Sequence, residues 1–528
     1  MKRRVLAAVV ATVYCAPAVD AWNVVSEANE HARRGVVCAQ VGNLNCAEAE
    51  LLRALALAPN DVSYLTSMGG ILATGQKLDA ANVYLEKAVR LDPRNVSARR
   101  NLAANQWQLG QLKSAQANLE HLLRQQPNDK VSMLLLGMVS ENLHDYLSAA
   151  KFLSAVPELV QQRPESQAAL ANAWYHTRRR QQAHLALEKL LGQTDSPQGI
   201  LAAAGVAAQA EDYELAAKLF ESIRSRYPDT AVVEYNIALL QFRTGRFVES
   251  EKTLVNLVNT GRANGKAYNL LGKCYEREEK LSEAVRLFRK AIELEPGEEA
   301  NYSDLVVVLT KSSRLATALE VAGKTVQAFP MSAPAYINRA VVQFKLNEFT
   351  DAVRSYNRAL ELDPKSLDAR VGLASAKWAA GMRQEAETDF QTLLEQHPHS
   401  QSIYQSYGMA LLTSADTDAM IERAGTLLRQ AVDLDSSQAE SHFQLGLLEL
   451  KKNSSSTSPQ SLQRGVAELE TAARLGLNDS RIHFALARGF RRIGREADAA
   501  KEMQQYQGLK AAEANANTVQ TTEANEAR

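Results

Sequence analysis

The sequence predicts an all-α protein in which one short helical hairpin is repeated along almost the whole chain. Three observations lead to this prediction. Prolines recur at multiples of 34 residues, small residues recur in pairs twelve apart, and apolar residues recur three and four apart between them. The chain has 528 residues, 46% of them hydrophobic and only 6% aromatic, so its composition allows a fully folded protein of several domain lengths.

The chain begins with a predicted secretory signal peptide, residues 1–21. Basic residues at 2–4 precede an apolar run at 5–16, and small residues stand three and one before a cut ahead of Trp22. The run is shorter than the roughly 20 apolar residues that cross a bilayer, although a retained anchor and a lipid-modified Cys15 are alternatives. We therefore expect an exported protein, periplasmic or secreted, without an integral membrane span in the mature chain.

The repeated unit is clearest in residues 265–298. Gly272 stands eighth in this unit, Ala284 twentieth, Phe288 twenty-fourth and Pro296 thirty-second. The pair of small residues recurs along the chain, from Gly35 with Ala47 to Ala487 with Ala499. The prolines that keep the register are Pro59, Pro93, Pro127, Pro228, Pro296, Pro330, Pro364 and Pro398.

Each part of the unit has a physical reason. Small residues at the eighth and twentieth positions let two antiparallel helices approach closely, and the larger twenty-fourth residue fills the space beside them. Proline then stops the second helix before the next hairpin begins. Because one hairpin cannot bury its apolar face alone, neighbouring hairpins must stack into a solenoid. About fourteen copies are predicted within residues 22–506, with insertions near 413–423 and 451–464, and residues 507–528 are predicted to be a disordered tail.

The segment YNLLGKCYEREEKLSEAVRLFRKAIELEP, residues 268–296, resembles the tetratricopeptide repeat. The resemblance covers essentially the whole mature chain and implies a right-handed superhelical solenoid of about fourteen repeats. The family usually binds protein segments along the concave surface formed by its first helices. Two ligand sites known in the family are not matched. The carboxylate clamp needs lysine and asparagine at the fifth and ninth positions of neighbouring copies, and only Asn172 stands at the ninth. The asparagine ladder needs asparagine at the sixth position of successive copies, where it is too sparse in this chain.

Two sets of residues are predicted to bind a partner on that surface. The first is an aromatic stripe at the twelfth position of five copies, which would supply anchoring rings, although filling of the core is the alternative. The second is polar and comes from the eighth copy: Asn269, Lys273 and Arg277. The rings of the stripe are Trp107, Tyr175, Phe242, Phe344 and Trp378.

The sequence contains no recognisable catalytic or metal-binding motif. Among nine histidines the only near pair is His397 and His399, with no cysteine or carboxylate cluster beside them. There is no HExxH, GxSxG or GxxxxGK[ST] motif, and the repeats leave no room for a catalytic domain. We therefore predict that the protein is not an enzyme and binds no cofactor or metal. A formal net charge of zero argues against nucleic acid as a partner.

Cysteine and arginine positions add two further hypotheses. Cys38 and Cys46 lie on either side of a predicted helical turn, so an exported protein could join them in a disulfide, with two buried thiols as the alternative. The last copy carries a basic cluster that either complements a helix dipole or docks an acidic partner. The residues of this cluster are Arg488, Arg491, Arg492 and Arg495.

These features predict a non-enzymatic scaffold in the cell envelope or secreted space. Its groove would hold a protein or peptide through many weak contacts. The alternative is a component of an envelope polysaccharide or protein export and assembly machinery, in which the groove contacts a glycan or a membrane complex.

Overall fold

The structure is a computed structural model, and the residues that it describes are 24–192, 196–414, 417–451, 459–476 and 480–526. These residues form 29 α-helices in a repeat arrangement and no β-strand, which confirms the predicted all-α fold. The chain divides into two compact units, Met1–Ala263 and Asn264–Arg528. The predicted signal peptide lies outside the described residues.

The described residues of the first unit form seven helical hairpins. The hairpins pair α1 with α2, α3 with α4, α5 with α6, α7 with α8, α10 with α11, α12 with α13, and α14 with α15, while α9 is one extra turn. The helices are α1 (Val24–Gln40), α2 (Leu44–Leu57), α3 (Val62–Thr74), α4 (Leu78–Leu91), α5 (Val96–Gln108), α6 (Leu112–Gln125), α7 (Lys130–Asn142), α8 (Tyr146–Ser154), α9 (Pro157–Val160), α10 (Pro164–His176), α11 (Arg180–Glu188), α12 (Pro197–Gln209), α13 (Tyr213–Ile223), α14 (Thr230–Arg243) and α15 (Phe247–Asn259).

The second unit also contains seven hairpins, each made of two consecutive helices from α16 to α29. Together the two units match the predicted number of about fourteen. The helices are α16 (Gly265–Arg277), α17 (Leu281–Leu294), α18 (Glu299–Lys311), α19 (Leu315–Ala328), α20 (Ala333–Lys345), α21 (Phe349–Leu362), α22 (Leu367–Ala379), α23 (Arg383–Gln396), α24 (Gln401–Thr413), α25 (Asp418–Leu434), α26 (Ala439–Lys451), α27 (Pro459–Arg474), α28 (Ser480–Arg492) and α29 (Glu496–Glu526).

Short local signals begin and end these helices. The side chain of Ser366 accepts a hydrogen bond from the backbone amide of Ala369 and so caps the start of α22. Between the two helices of a hairpin, one residue takes a left-handed backbone conformation, as Gly110 does with a φ of 77°. His144 occupies the equivalent position with a φ of 61°. Residue type alone therefore does not mark this turn in every copy.

Close packing within a hairpin follows the predicted register. A Cβ atom placed on Gly272 of α16 would lie 2.8 Å from Cε1 of Phe288 on α17, and Phe288 is completely buried. A Cβ atom placed on Gly69 of α3 would lie 2.4 Å from Cγ of Leu85 on α4. The small eighth residue thus faces the large twenty-fourth residue, because only a small side chain leaves room for it.

The first helix of each hairpin forms a continuous layer with its neighbours. In the second unit α16, α18, α20, α22, α24, α26 and α28 contact one another in order, while each second helix packs against the first helices on either side. We call the surface formed by the first helices the inner face of the unit. This layering places the twelfth-position rings and the polar residues of α16 on helices of the inner face.

The insertions and the C-terminal segment depart from the regular repeat. Helix α25 has 17 residues where α17 has 14, so part of the insertion near 413–423 lengthens a helix. Half of the insertion at 451–464, residues 452–458, falls outside the described residues. Helix α29 continues to Glu526 and so includes most of the tail at 507–528, for which disorder stays a prediction. This segment is rich in alanine and glutamate, which favour helix without requiring an apolar face.

Candidate functional site

An apolar groove lies between α18 and α20 on the inner face of the second unit. Its volume is about 160 Å³, and Val307 on its wall keeps 40% of its surface exposed. Thr310 directs its hydroxyl to the backbone carbonyl of Val306 at 2.6 Å, so this polar group is satisfied within the helix. The residues that line the groove are Val306, Val307, Thr310, Lys311, Asn338, Val341 and Lys345.

Two polar side chains of this groove are available to a ligand. The amide of Asn338 is partly exposed, and the ammonium group of Lys345 is exposed. Within the part of the chain that the structure describes, neither has a hydrogen bond or an ion pair. Lys311, by contrast, forms an ion pair with Glu276 of α16. The groove therefore combines valine walls with one free amide and one free cation.

The polar residues predicted on α16 contact the neighbouring repeat. Nδ2 of Asn269 donates to Oδ2 of Asp304 at 2.8 Å, and Nζ of Lys273 lies 3.0 Å from the same oxygen. Arg277 is exposed one turn further along α16. Asn269 and Lys273 thus do not line the groove, and their partner is the carboxylate of Asp304 on α18. A ligand would have to compete with Asp304 for them.

Two rings of the predicted stripe bridge neighbouring repeats. Nε1 of Trp107 donates to Oδ1 of Asn142 at 2.9 Å, and the hydroxyl of Tyr175 donates to Oδ2 of Asp212 at 2.8 Å. Both rings are partly buried. Their polar atoms are used inside the protein, which indicates that these rings support the stacking of repeats.

Trp378 requires a correction. It was predicted as a partly exposed anchor, but it is only 5% exposed, and Nε1 donates to Oγ of Ser414 at 3.0 Å. Its ring packs 6.3 Å from that of Tyr407, centroid to centroid. Trp378 therefore belongs to the core, as the alternative interpretation held. Phe242 and Phe344 are partly buried and pack edge to face against Phe247 and Phe349, at the start of the second helix of their own hairpins.

The carboxylate of Asp212 has a lowered pKa. Its Oδ2 also lies 2.7 Å from Nδ1 of His184. Burial alone would raise the pKa of Asp212, but the hydrogen bonds from His184 and Tyr175 outweigh burial and lower that pKa below its ordinary value. Burial and the bond to Asp212 raise the pKa of the Tyr175 hydroxyl. This cluster joins two repeats and is a structural feature.

The candidate cysteines are bonded in the structure. The Sγ atoms of Cys38 on α1 and Cys46 on α2 are 2.00 Å apart, and their Cα atoms are 5.7 Å apart. Cys274 on α16 is buried. The disulfide ties together the two helices of the first hairpin.

Sequence reasoning missed most of the groove. It selected residues of α16, whereas the valine walls and the free polar groups belong to α18 and α20. The register contained a usable signal, because Val307 and Val341 occupy the ninth position of consecutive copies and Lys311 and Lys345 the thirteenth. Adding 34 to the number of each polar residue in one copy would have identified the residues at the equivalent positions of the next copies.

No reactive constellation accompanies this groove. Across the described ranges, no group of three or more histidine, cysteine or acidic residues could hold a metal ion. Within the same ranges, every helix is too short or too polar to cross a membrane. What the geometry offers is a surface for binding.

The fold and this surface define a repeat protein of stacked helical hairpins. Sequence profiles of the family described as tetratricopeptide repeat match residues in both units. The matched segments therefore contain tetratricopeptide repeats. The matched segments are 72–136, 201–258, 265–298, 333–366 and 368–400.

Solved structures with a related fold share little sequence with this chain. The crystal structure of yeast Tom70 is 14% identical, with 95% of this chain and 96% of that chain covered and a TM-score of 0.41. The Cut9-Hcn1 hetero-tetramer of the APC/C gives 15% identity, coverages of 91% and 93%, and a TM-score of 0.43. A tetratricopeptide repeat protein from Parabacteroides merdae gives 18% identity, coverages of 54% and 99%, and a TM-score of 0.31. We draw no functional argument from likenesses at this level.

Proposed function

We propose that the protein is a non-enzymatic scaffold that binds a peptide segment of a partner protein on the inner face of its second unit. The observation that carries the proposal is the groove between α18 and α20, where valine walls adjoin an unpartnered amide and an unpartnered ammonium group. Tetratricopeptide repeats with such surfaces suit protein interaction, because a rigid face pays little conformational entropy on binding.

Each part of the groove has a defined role in this proposal. An aliphatic side chain of the peptide enters between Val307 and Val341, and its full burial contributes about 1.5 to 3 kcal/mol. The amide of Asn338 can donate to and accept from a peptide backbone. Lys345 can pair with a carboxylate on the same segment. A short peptide would therefore bind weakly, and further contacts along the inner face would strengthen binding.

We also propose that the protein acts outside the cytoplasm, in the periplasm or the secreted space. The basic start and apolar run of residues 1–21 support export. The disulfide between Cys38 and Cys46 agrees with an oxidising compartment.

Photo-crosslinking from the groove tests the proposed binding function. A photoreactive amino acid is placed at Val341, and a matched variant carries it at Arg286, an exposed residue on the second helix α17. In producing cells, the variant at 341 should give a discrete adduct with another polypeptide, and the variant at 286 should not.

A second substitution confirms that the groove itself is occupied. Val307→Arg fills the groove and should lower the yield of the adduct at 341 about tenfold, which corresponds to about 1.4 kcal/mol. Equal adducts from positions 341 and 286 would contradict the proposal. An adduct that stains as carbohydrate would instead favour the alternative of a glycan-handling machinery.

A further inference from the structure

A second surface of the chain lies on α28, the first helix of the last described hairpin. Arg481, Phe484, Arg488 and Arg491 are all exposed, and their spacing of three, four and three residues places them on one side of the helix. The opposite side, with Ile482 and neighbouring apolar residues, is buried. We call these four residues the α28 face.

The arginines of this region differ in how closely a carboxylate approaches them. Arg481 lies 3.3 Å from Glu440, and Nε of Arg491 lies 3.9 Å from Glu496, a long contact for an ion pair. Arg488 has no carboxylate partner within the described ranges, and its guanidinium lies 5.8 Å from the ring centre of Phe484. Arg492 uses one N–H group on the backbone carbonyl of Leu450. Arg488 is therefore the exposed arginine of the α28 face that lacks a carboxylate partner within the described ranges, and Arg491 has only a distant one.

Three further acidic residues near this helix have partners of their own. Asp498 lies 2.6 Å and Glu470 lies 3.3 Å from Arg495. Glu502 lies 2.6 Å from Nδ1 of His483. These carboxylates therefore contact Arg495 and His483 and not Arg488 of the α28 face.

An exposed aromatic ring lies in the middle of these charges. Phe484 keeps 41% of its surface exposed, whereas the other phenylalanines of the described residues are buried or partly buried. Its ring centre lies 5.2 Å from that of Tyr506 on α29, which supports it from one side. An exposed ring among arginines can bury its free surface against an apolar side chain while the arginines bind charge.

We propose that the α28 face is a docking surface for an acidic segment of a partner protein that carries an apolar side chain among its carboxylates. This surface is distinct from the groove of the proposed function, since helices α22, α24 and α26 lie between them in the order of the inner face. The eleven residues from Arg481 to Arg491 span about 15 Å of helix, which matches about five residues of extended peptide.

Charge decides between this occupant and two others. A second copy of the chain would place arginines against arginines on a shared axis, which is unfavourable without intervening acids. Single-stranded nucleic acid could stack a base on Phe484, but the chain as a whole carries no net positive charge to attract it. The carboxylates of an acidic segment pair with guanidinium groups in two parallel hydrogen bonds. An apolar side chain of the same segment covers the exposed ring of Phe484.

Fluorescence anisotropy of the full chain tests the proposal. The probe is a short fluorescein-labelled peptide in which glutamates flank one phenylalanine, and its match has glutamine in place of every glutamate. The glutamate peptide should bind at least about tenfold more tightly than the glutamine peptide, and added salt should weaken its binding. No measurable binding of the glutamate peptide, or equal binding of both peptides, would overturn the proposal.

Charge reversal locates the binding. The double variant Arg488→Glu/Arg491→Glu should lose about tenfold or more in affinity for the glutamate peptide. The matched variant Arg286→Glu/Arg289→Glu makes the same change in net charge on exposed residues of α17 and should bind as the wild type does. Equal losses in both variants would show a general charge effect and refute the site.

Three further measurements complete the test. Circular dichroism must show unchanged helicity in both charge variants, and the milder pair Arg488→Ala/Arg491→Ala should show the same loss of binding if reversal disturbs folding. A uridine oligonucleotide that displaces the peptide at lower concentration than unlabelled peptide would overturn the assignment in favour of nucleic acid. A wild-type dimer that Arg488→Glu/Arg491→Glu dissociates would overturn it in favour of a second copy.

Discussion

Replacing Gly272 by alanine should destabilise the second unit, although alanine is the better helix former. The glycine lies at the centre of α16, where a Cβ atom would stand 2.8 Å from Cε1 and 3.0 Å from Cδ1 of Phe288. Carbon atoms in favourable contact stand about 3.5 to 4.0 Å apart, so the ring or the helix must move. Phe288 is completely buried, and its surroundings leave little room for that movement.

The expected magnitude is a sum of two opposing effects. Replacing glycine by alanine inside a helix stabilises it by about 0.8 to 1.0 kcal/mol. Overpacking of a close contact typically costs about 1 to 3 kcal/mol. The net change in the free energy of unfolding should therefore lie between about zero and a loss of about 2 kcal/mol. Gly272→Leu adds more atoms at the same point and should lose more.

Gly323 supplies the matched control. It lies inside α19 in the same unit, and a Cβ atom there meets no other atom within 4 Å. Gly323→Ala should raise the free energy of unfolding by about 1 kcal/mol, because alanine has the higher helix propensity and causes no overpacking there. Urea denaturation of the full chain, followed by far-ultraviolet circular dichroism, measures both variants, and their difference isolates overpacking. Equal stabilisation by the two substitutions would refute the assigned contact between the eighth and twenty-fourth positions.

Two further predictions concern the N-terminal region. N-terminal sequencing of the mature protein should begin at Trp22, and a cytoplasmic fraction that retains Met1 would contradict export. Cys38→Ala/Cys46→Ala should destabilise the first hairpin by about 2.5 kcal/mol, because the disulfide closes a loop with a sequence separation of 8 and restricts the unfolded chain. Thermal melts with and without reductant measure this loss in the wild type, and an unchanged melt on reduction would count against it.

The contrast between Trp378 and Phe484 shows why exposure was difficult to predict. Both are aromatic residues on first helices, at the twelfth and fifth positions of their copies. Trp378 is covered because Tyr407 and Ser414 of the next hairpin reach its ring and its Nε1 atom. Phe484 keeps 41% of its surface exposed, with Tyr506 on one side only. Identity and repeat position predicted the helix, whereas the neighbouring copy decided the burial.

The polar residues of the candidate site follow the same logic. Asn269 and Lys273 were found from their repeat positions, but their pairing with Asp304 joins residues about one period apart. Such a contact depends on the side chain of the next copy, which varies along the chain. The free groups Asn338 and Lys345 were missed because the absence of a partner is visible only when the neighbouring helices are in place.

The sequence by itself determined the repeating hairpin, its register and the stacking of fourteen copies, because the period of 34 and the small residues restate the same local packing in every copy. Only the tertiary structure decided which side chains of the inner face are consumed by neighbours and which are left to a ligand. The physical reason is that helix formation depends on residues within one turn, whereas burial and pairing depend on the hairpin stacked next to it.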